Sequence, residues 1–228
     1  MKLLLALFLT IPAVILAKDV KCPKDFFHVK RTPTARNNHT KDWCLGVFDV
    51  ENVGDRDRAR SFCISNDAML SIPENKAEYD LIIERTKDKN ASETHAMDGQ
   101  MNPKCKALLF KFLQQDKLFN TTTLKGECNI KNNLVIFDDA NTDPEFVLSH
   151  MKYGIPSGHS SITMGHGPAL RKMDECLTME RTVKLERFFN TVSCDGKQLK
   201  SKEAKKLLYP SPEAESIIDS VICGRAPL

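Results

Sequence analysis

Residues 59–78 read ARSFCISNDAMLSIPENKAE, and the change within this stretch from a helical to an alternating and back to a helical pattern decides the fold class. Ala59, Phe62 and Cys63 fall at i, i+3 and i+4. A helix after Gly54, capped by Asp55 or Asp57, would therefore turn a cysteine inward. Ala68 to Ile72 alternates as a short strand. Pro73 is expected to open a second helix, in which Ala77 with Leu81, and Tyr79 with Ile82 and Ile83, recur at helical spacing. Ser71 with Glu74, or Asn75 with Glu78, has the spacing of a capping box.

Outside this stretch the regular elements are shorter. Leu134 to Phe137, Glu175 to Met179 around Cys176, and Ile217 to Cys223 read as strands. Two helices followed by short strands between long loops imply an α+β fold. The chain shows no internal repeat and no low-complexity tract. Its 228 residues suit one large domain or two small ones, and 41% hydrophobic residues can build a core.

Lys2, the apolar run Leu3 to Leu16 and the small residue Ala17 have the layout of a secretory signal peptide, so residues 1–17 are expected to be removed and the mature chain to begin at Lys18. Thr10 and Pro12 interrupt the run, which is shorter than the roughly 20 apolar residues of a membrane span. Later hydrophobic runs are each broken by charge. A secreted, extracellular product without a membrane span is the expectation. The net charge of +3 becomes +2 once Lys2 leaves, too little for a general nucleic-acid footprint. In the secretory pathway Asn38, Asn90 and Asn120, each in an Asn-x-Ser/Thr sequon, are glycan acceptors expected on exposed loops.

Eight cysteines, Cys22, Cys44, Cys63, Cys105, Cys128, Cys176, Cys194 and Cys223, behind such a leader read as a disulfide framework. The sequence alone permits about 105 pairings. No Cys-x-x-Cys spacing occurs, which speaks against structural zinc.

Several blocks together resemble the long form of the C-type lectin-like domain. Cys22-Pro23-Lys24-Asp25-Phe26 followed by Trp43-Cys44 is similar to its amino-terminal hairpin, and residues 59–78 to its helix–strand–helix segment. Cys176 to Met179, Phe189 to Cys194 and Val221 to Gly224 resemble its final strands. Met97-Asp98-Gly99-Gln100 through Cys105 stands where the family carries a central W-I-G-L strand, here without the tryptophan. The resemblance implies a single disulfide-stapled domain over residues 18–228, with insertions at about 106–150 and 195–220. It also implies the pairs Cys22–Cys44, Cys63–Cys223 and Cys176–Cys194, leaving Cys105 with Cys128.

Sugar-binding members of that family hold calcium through an E-P-N or Q-P-D tripeptide and a W-N-D tripeptide. The matching positions here are Ile155-Pro156-Ser157 and Phe189-Asn190-Thr191. Calcium needs roughly six to eight oxygens, several from carboxylates. With Ile155 and Thr191 in place of oxygen ligands only Asn190 remains, and it reads better as a turn residue. The calcium site is therefore expected to be lost and no cofactor is implied. Asp138, Asp139, Asp143 and Asp174 are the first replacement oxygens to consider.

Two enzymatic readings are weaker. Gly158-His159-Ser160-Ser161-Ile162 starts like a nucleophile elbow, but Ile162 replaces the second glycine and residues 153–167 read as loop. His150, His159 and His166 are close in sequence, yet their spacing fits no helix face. Between Cys194 and Cys223, Ala204, Leu207 and Leu208 mark a short amphipathic helix beside Lys197, Lys200, Lys202, Lys205 and Lys206. These lysines suit either solvent or a sulfated or phosphorylated polyanion, with Lys200, Lys202, Lys205 and Lys206 the candidate contacts. The sequence as a whole points to a binding protein that is not an enzyme. Its ligand would be an extracellular glycan or protein, engaged through the loop from about Lys131 to Asp174. An atypical calcium-dependent lectin is the alternative and a secreted hydrolase a distant one.

Overall fold

The computed structural model describes residues 19–50, 53, 55–86, 93–105, 126–129, 133–151, 175–181, 187–194 and 218–228. The expected leader, residues 1–17, lies outside them. Among the described residues the strands are β1 (Phe27–Lys30), β2 (Asp42–Asp49), β3 (Met69–Leu70), β4 (Glu93–Met101), β5 (Val135–Ile136), β6 (Glu175–Arg181), β7 (Arg187–Ser193) and β8 (Ser220–Arg225). The helices are α1 (Arg56–Ser65), α2 (Lys76–Arg85) and α3 (Glu145–Ser149). The strands form a sheet in the order β1-β2-β8-β4-β6-β7, with β3 added to β8 and β5 to β4. Only the β4–β8 pair is parallel among these pairings.

Strand alternation separates two cores. Val221 and Cys223 join Ala59 and Cys63 of α1, with Ala96, Leu70 and Ile218, on one face of the sheet. Ile222 and Met97, one residue out of phase, join Ile82 of α2, Trp43, Leu177, Met179 and Phe189 on the other. Helix α1 is thus the layer on one side, and α2 with Val147 of α3 the layer on the other. The amino-terminal hairpin reaches α1 through an aromatic relay, Phe26 on Phe48 at 5.2 Å and Phe48 on Phe62 at 5.4 Å.

Helix α1 follows its sequence pattern, with the Asp55 carboxylate accepting from the Arg58 amide at 2.8 Å. Helix α2 does not. It begins at Lys76, not Pro73, because Asn75 is the cap and accepts from the Glu78 amide at 3.0 Å. Ser71 is drawn away to Asp139, and Glu78 accepts from the Glu74 amide in place of closing the box. Leu81, Tyr79, Ile82 and Ile83 face the core as their spacing implies, whereas Ala77 is exposed and Glu78 joins Ile82 in the buried line. Strand β3 is confined to Met69–Leu70, β5 to Val135–Ile136, and β8 starts at Ser220 where Ile217 was expected. Helix α3, inside the region read as loop, was not expected.

Four disulfides join Cys22–Cys44, Cys63–Cys223, Cys105–Cys128 and Cys176–Cys194. The Cys63–Cys223 bond ties α1 to β8 across 160 residues of sequence, whereas Cys22–Cys44 closes 22. Loop-closure entropy ranks the first at about 5 kcal/mol and the second at about 3 kcal/mol. Replacing Cys63 and Cys223 together by Ala is therefore predicted to lower the unfolding free energy more than replacing Cys22 and Cys44 together, as read by urea denaturation. Equal losses would show that native contacts, not chain closure, set the contribution.

Candidate functional site

Strand β4 carries a bulge, its register shifting between Ala96 and Gln100, and this bend makes the candidate site possible. Gly99 sits there at φ +116°, and a Cβ in its place would meet Leu177 Cδ1 at 2.5 Å and Phe137 Cε1 at 2.8 Å. Beyond the bulge β4 pairs with β5, and the chain leaving β5 crosses back over the buried side chain of Asp98.

Residues 138–143 are pinned there by two buried acids, Asp98 and Asp139, and the half-buried Glu74. Asp98, with 0% exposure, accepts from the amides of Asp138 and Asp139, both at 2.8 Å, on one oxygen. Its other oxygen accepts from Arg56 Nη2 at 2.9 Å and the Gly99 amide at 2.8 Å. Asp139 accepts from Ser71 Oγ at 2.7 Å, Thr142 Oγ1 at 2.6 Å and the Asn141 amide at 2.8 Å. Glu74 accepts from the Asp143 amide at 3.1 Å and from Asn37 Nδ2 at 2.9 Å. The guanidinium of Arg31 closes the arrangement. It donates to both Glu78 oxygens, at 2.8 and 2.9 Å, and to the Asn141 carbonyl and Thr142 Oγ1, at 2.8 and 2.7 Å. It also lies 5.2 Å from the Trp43 ring centroid.

Past this clasp, Phe146 of α3 packs on Tyr79 and Phe189, and Met151 bridges to Phe189 of β7. Phe189, Asn190 and Thr191 are all buried within β7, so Asn190 is a strand residue opposite Thr178 and not the expected turn residue. Its Nδ2 donates to Glu180 Oε1 at 3.0 Å, and its buried Oδ1 has no hydrogen-bond partner among the described residues. Ile155, Pro156, Ser157 and Asp174 lie outside the described residues.

One amide oxygen falls far short of a calcium shell. Asp138 faces Arg56 and Arg60 at 3.1 and 3.2 Å, and Asp143 faces Arg36 at 3.2 Å. Among the described residues no group of three or more His, Cys, Asp or Glu side chains gathers as metal ligands.

His150 caps α3, its Nδ1 donating to the Phe146 carbonyl at 2.7 Å, while His159, His166 and the segment 158–162 lie outside the described residues. A different Ser–His–Glu set does assemble: His95 Nδ1 bonds Ser220 Oγ, and His95 Nε2 is 3.7 Å from Glu93. All three are buried, so Ser220 Oγ is closed to a substrate carbonyl. Arg181, 3.4 Å from Glu93, donates to the Thr86 carbonyl at the end of α2 at 3.0 Å, and the group reads as a polar seam in the core. Sequon residues Asn90 and Asn120, and Lys200, Lys202, Lys205 and Lys206, lie outside the described residues; Asn38 is exposed at the tip of the β1–β2 hairpin. No helix among the described residues is long and apolar enough to cross a membrane.

Arg31, Asn37 and Asp98 were not singled out as site residues from the sequence, and Glu74 and Glu78 only as members of a capping box. The only available signal was a glutamate on the inward side of α2, since the partners lie far away in the chain. Burial, opposed by its hydrogen bonds and Arg56, raises Asp98 from 3.8 to about 6. Burial likewise raises Glu74, against the Asp143 amide, Arg31 and Asn37.

Because the folded Asp98 holds its proton more tightly than the unfolded one, this group adds stability as pH falls through about 6 and loses it as pH rises. Between pH 7.5 and 5 the wild type is predicted to gain about 1 kcal/mol of unfolding free energy relative to Asp98→Asn. Parallel pH profiles for the two chains would contradict this. Glu78→Gln, which removes the nearer of the two carboxylates beside the buried Arg31 and leaves only Glu74 at 3.7 Å, is predicted to cost about 3 kcal/mol in urea denaturation. A loss under about 1 kcal/mol, the range of an exposed pair, would contradict it.

A family model described as C-type lectin domain-containing protein 141/158 matches residues 28–225. No curated protein matches the sequence. Among solved structures, the chain is similar to the mouse Scavenger Receptor C-type Lectin carbohydrate-recognition domain at 16% identity, covering 90% of this chain and 98% of that one, with a TM-score of 0.40. The chain belongs to the C-type lectin domain-containing protein 141/158 family and has the α+β fold of a C-type lectin-like domain.

Proposed function

We propose that this protein is a secreted recognition protein that binds an extracellular glycoconjugate or protein without a shared calcium ion, and that it acts by binding, not catalysis. The observation that carries the reading is the anchoring of the chain that enters the long loop. Residues 138–143 are held by Asp98, Asp139 and Glu74, and Met151 by β7. A loop whose entry is fixed in this way presents its remaining residues at lower ordering cost on binding. Of the acids along this segment, Asp139 is engaged in that anchoring, while Asp138 and Asp143 face arginines. A ligand recognised without a metal must then be held by hydrogen bonds and apolar contacts from the loop itself.

A calcium-dependent lectin with atypical ligands is favoured by one observation, the buried and unpartnered Oδ1 of Asn190. The lysines at 200, 202, 205 and 206 are proposed as an auxiliary contact for sulfated or phosphorylated ligands. The insertion that bears them leaves from Cys194, whose carbonyl accepts from the Arg56 amide at 3.0 Å.

Probing the secreted chain on a glycan array with calcium and again with chelator separates the readings. The proposed function predicts the same ligands in both conditions, and a thermal midpoint unmoved by calcium. Millimolar calcium on a micromolar site would instead stabilise by about 4 kcal/mol. Ligands that vanish with chelator, together with a calcium-raised midpoint, would replace the proposal with the atypical lectin.

A further inference from the structure

Neighbouring asparagines at the tip of the β1–β2 hairpin have opposite surroundings. Asn37 is buried, and its Nδ2 donates to the Thr32 carbonyl at 3.0 Å and to Glu74 Oε1 at 2.9 Å. Asn38 is exposed, in the left-handed region at φ 51° and ψ 36°. His39 follows at φ 58°, so the backbone turns outward over both residues. The sequon Asn38-His39-Thr40 starts on the exposed asparagine, and neither His39 nor Lys41 is a proline. Asn38 Nδ2 and Thr40 Oγ1 both reach Asn141 Oδ1, each at 3.4 Å, placing the sequon against the clasped segment. Beside it Arg36 pairs with Asp143 and Glu145.

We propose that Asn38 carries an N-linked glycan rooted where the hairpin tip meets residues 141–145, a reading that rests on entry of the chain into the secretory pathway. In the transfer, Asn38 Nδ2 forms a bond to C1 of an oligosaccharide donated by a lipid diphosphate. The C1–O bond breaks, the lipid diphosphate leaves with the electron pair, and Nδ2 gives up one of its two protons. The remaining N–H can still donate to Asn141 Oδ1, so the modified side chain keeps its place. A glycan there starts beside the Arg36–Asp143 and Arg36–Glu145 pairs. Asn37, held by acceptors on its own amide, keeps its role as the internal tie to Glu74.

The test is expression of the full chain in a eukaryotic secretory host, followed by peptide mass spectrometry before and after enzymatic removal of N-glycans. The expected result is glycan on the Asn38 peptide, lost in Asn38→Gln and in Thr40→Ala and retained in Thr40→Ser. Thr40→Ala separates modification from folding, since it leaves Asn38 itself in place. A chain modified at Asn90 or Asn120 but unmodified at Asn38 overturns this proposal alone. A chain with no glycan at any sequon overturns the secretory reading and this proposal with it.

Discussion

A guanidinium with no access to water organises the ligand-loop side of this domain. Arg31 spends two nitrogens on Glu78 and one on residues 141 and 142, and it packs against Trp43. A buried charge of this kind is tolerable only when its hydrogen-bonding capacity is used and an opposite charge is fixed beside it. Satisfying it brings three elements to one point: the end of β1, the first turn of α2 and the segment after β5. Around that point Glu74, Asp139 and Asp98 take up the amides of 138–143, so a stretch without regular structure has defined partners for several of its backbone groups.

Packing and covalent bonds divide the remaining work. The apolar core under α1 is small and built around Ala59 and Cys63, and the Cys63–Cys223 bond runs through it. The core under α2 and α3 is larger and carries the aromatic contacts of Tyr79, Phe146 and Phe189. Polar anchoring by Arg31, Glu74 and Glu78 lies on this second side, and the Arg56–Asp98 pair links it to the first residue of α1. The α1 side is held more by its disulfide and by short side chains in close contact.

The legible parts of the sequence were those with local causes. Ala59, Phe62 and Cys63 predicted the inward side of α1 from spacing alone, and Asp55 predicted its cap. The order of the blocks pointed to the family through resemblance. Glu78 was illegible because its partner Arg31 lies 47 residues earlier, and a hydrophobic period has no place for a buried acid. Asp98 was passed over for the same reason, since apart from the Gly99 amide its donors lie 40 and more residues away. Asn190 misled in the opposite direction: a turn-forming residue by local preference, it is held in a strand by pairing with Thr178. Helix α3 has a start signal, Asp143 accepting from the Glu145 amide at 2.9 Å ahead of the first turn, but its five residues are too few to show a helical period.

The central claim is that buried carboxylates hold the entry to the ligand loop in one conformation. Amide hydrogen exchange of Asp138, Asp139 and Asp143 tests it most directly, since each amide donates to a carboxylate of Asp98 or Glu74. The account predicts that at neutral pH all three are protected by more than about 100-fold relative to an unstructured chain, an opening free energy above about 2.7 kcal/mol. Exchange of these amides at the rate of an open loop, while the sheet amides stay protected, would contradict it.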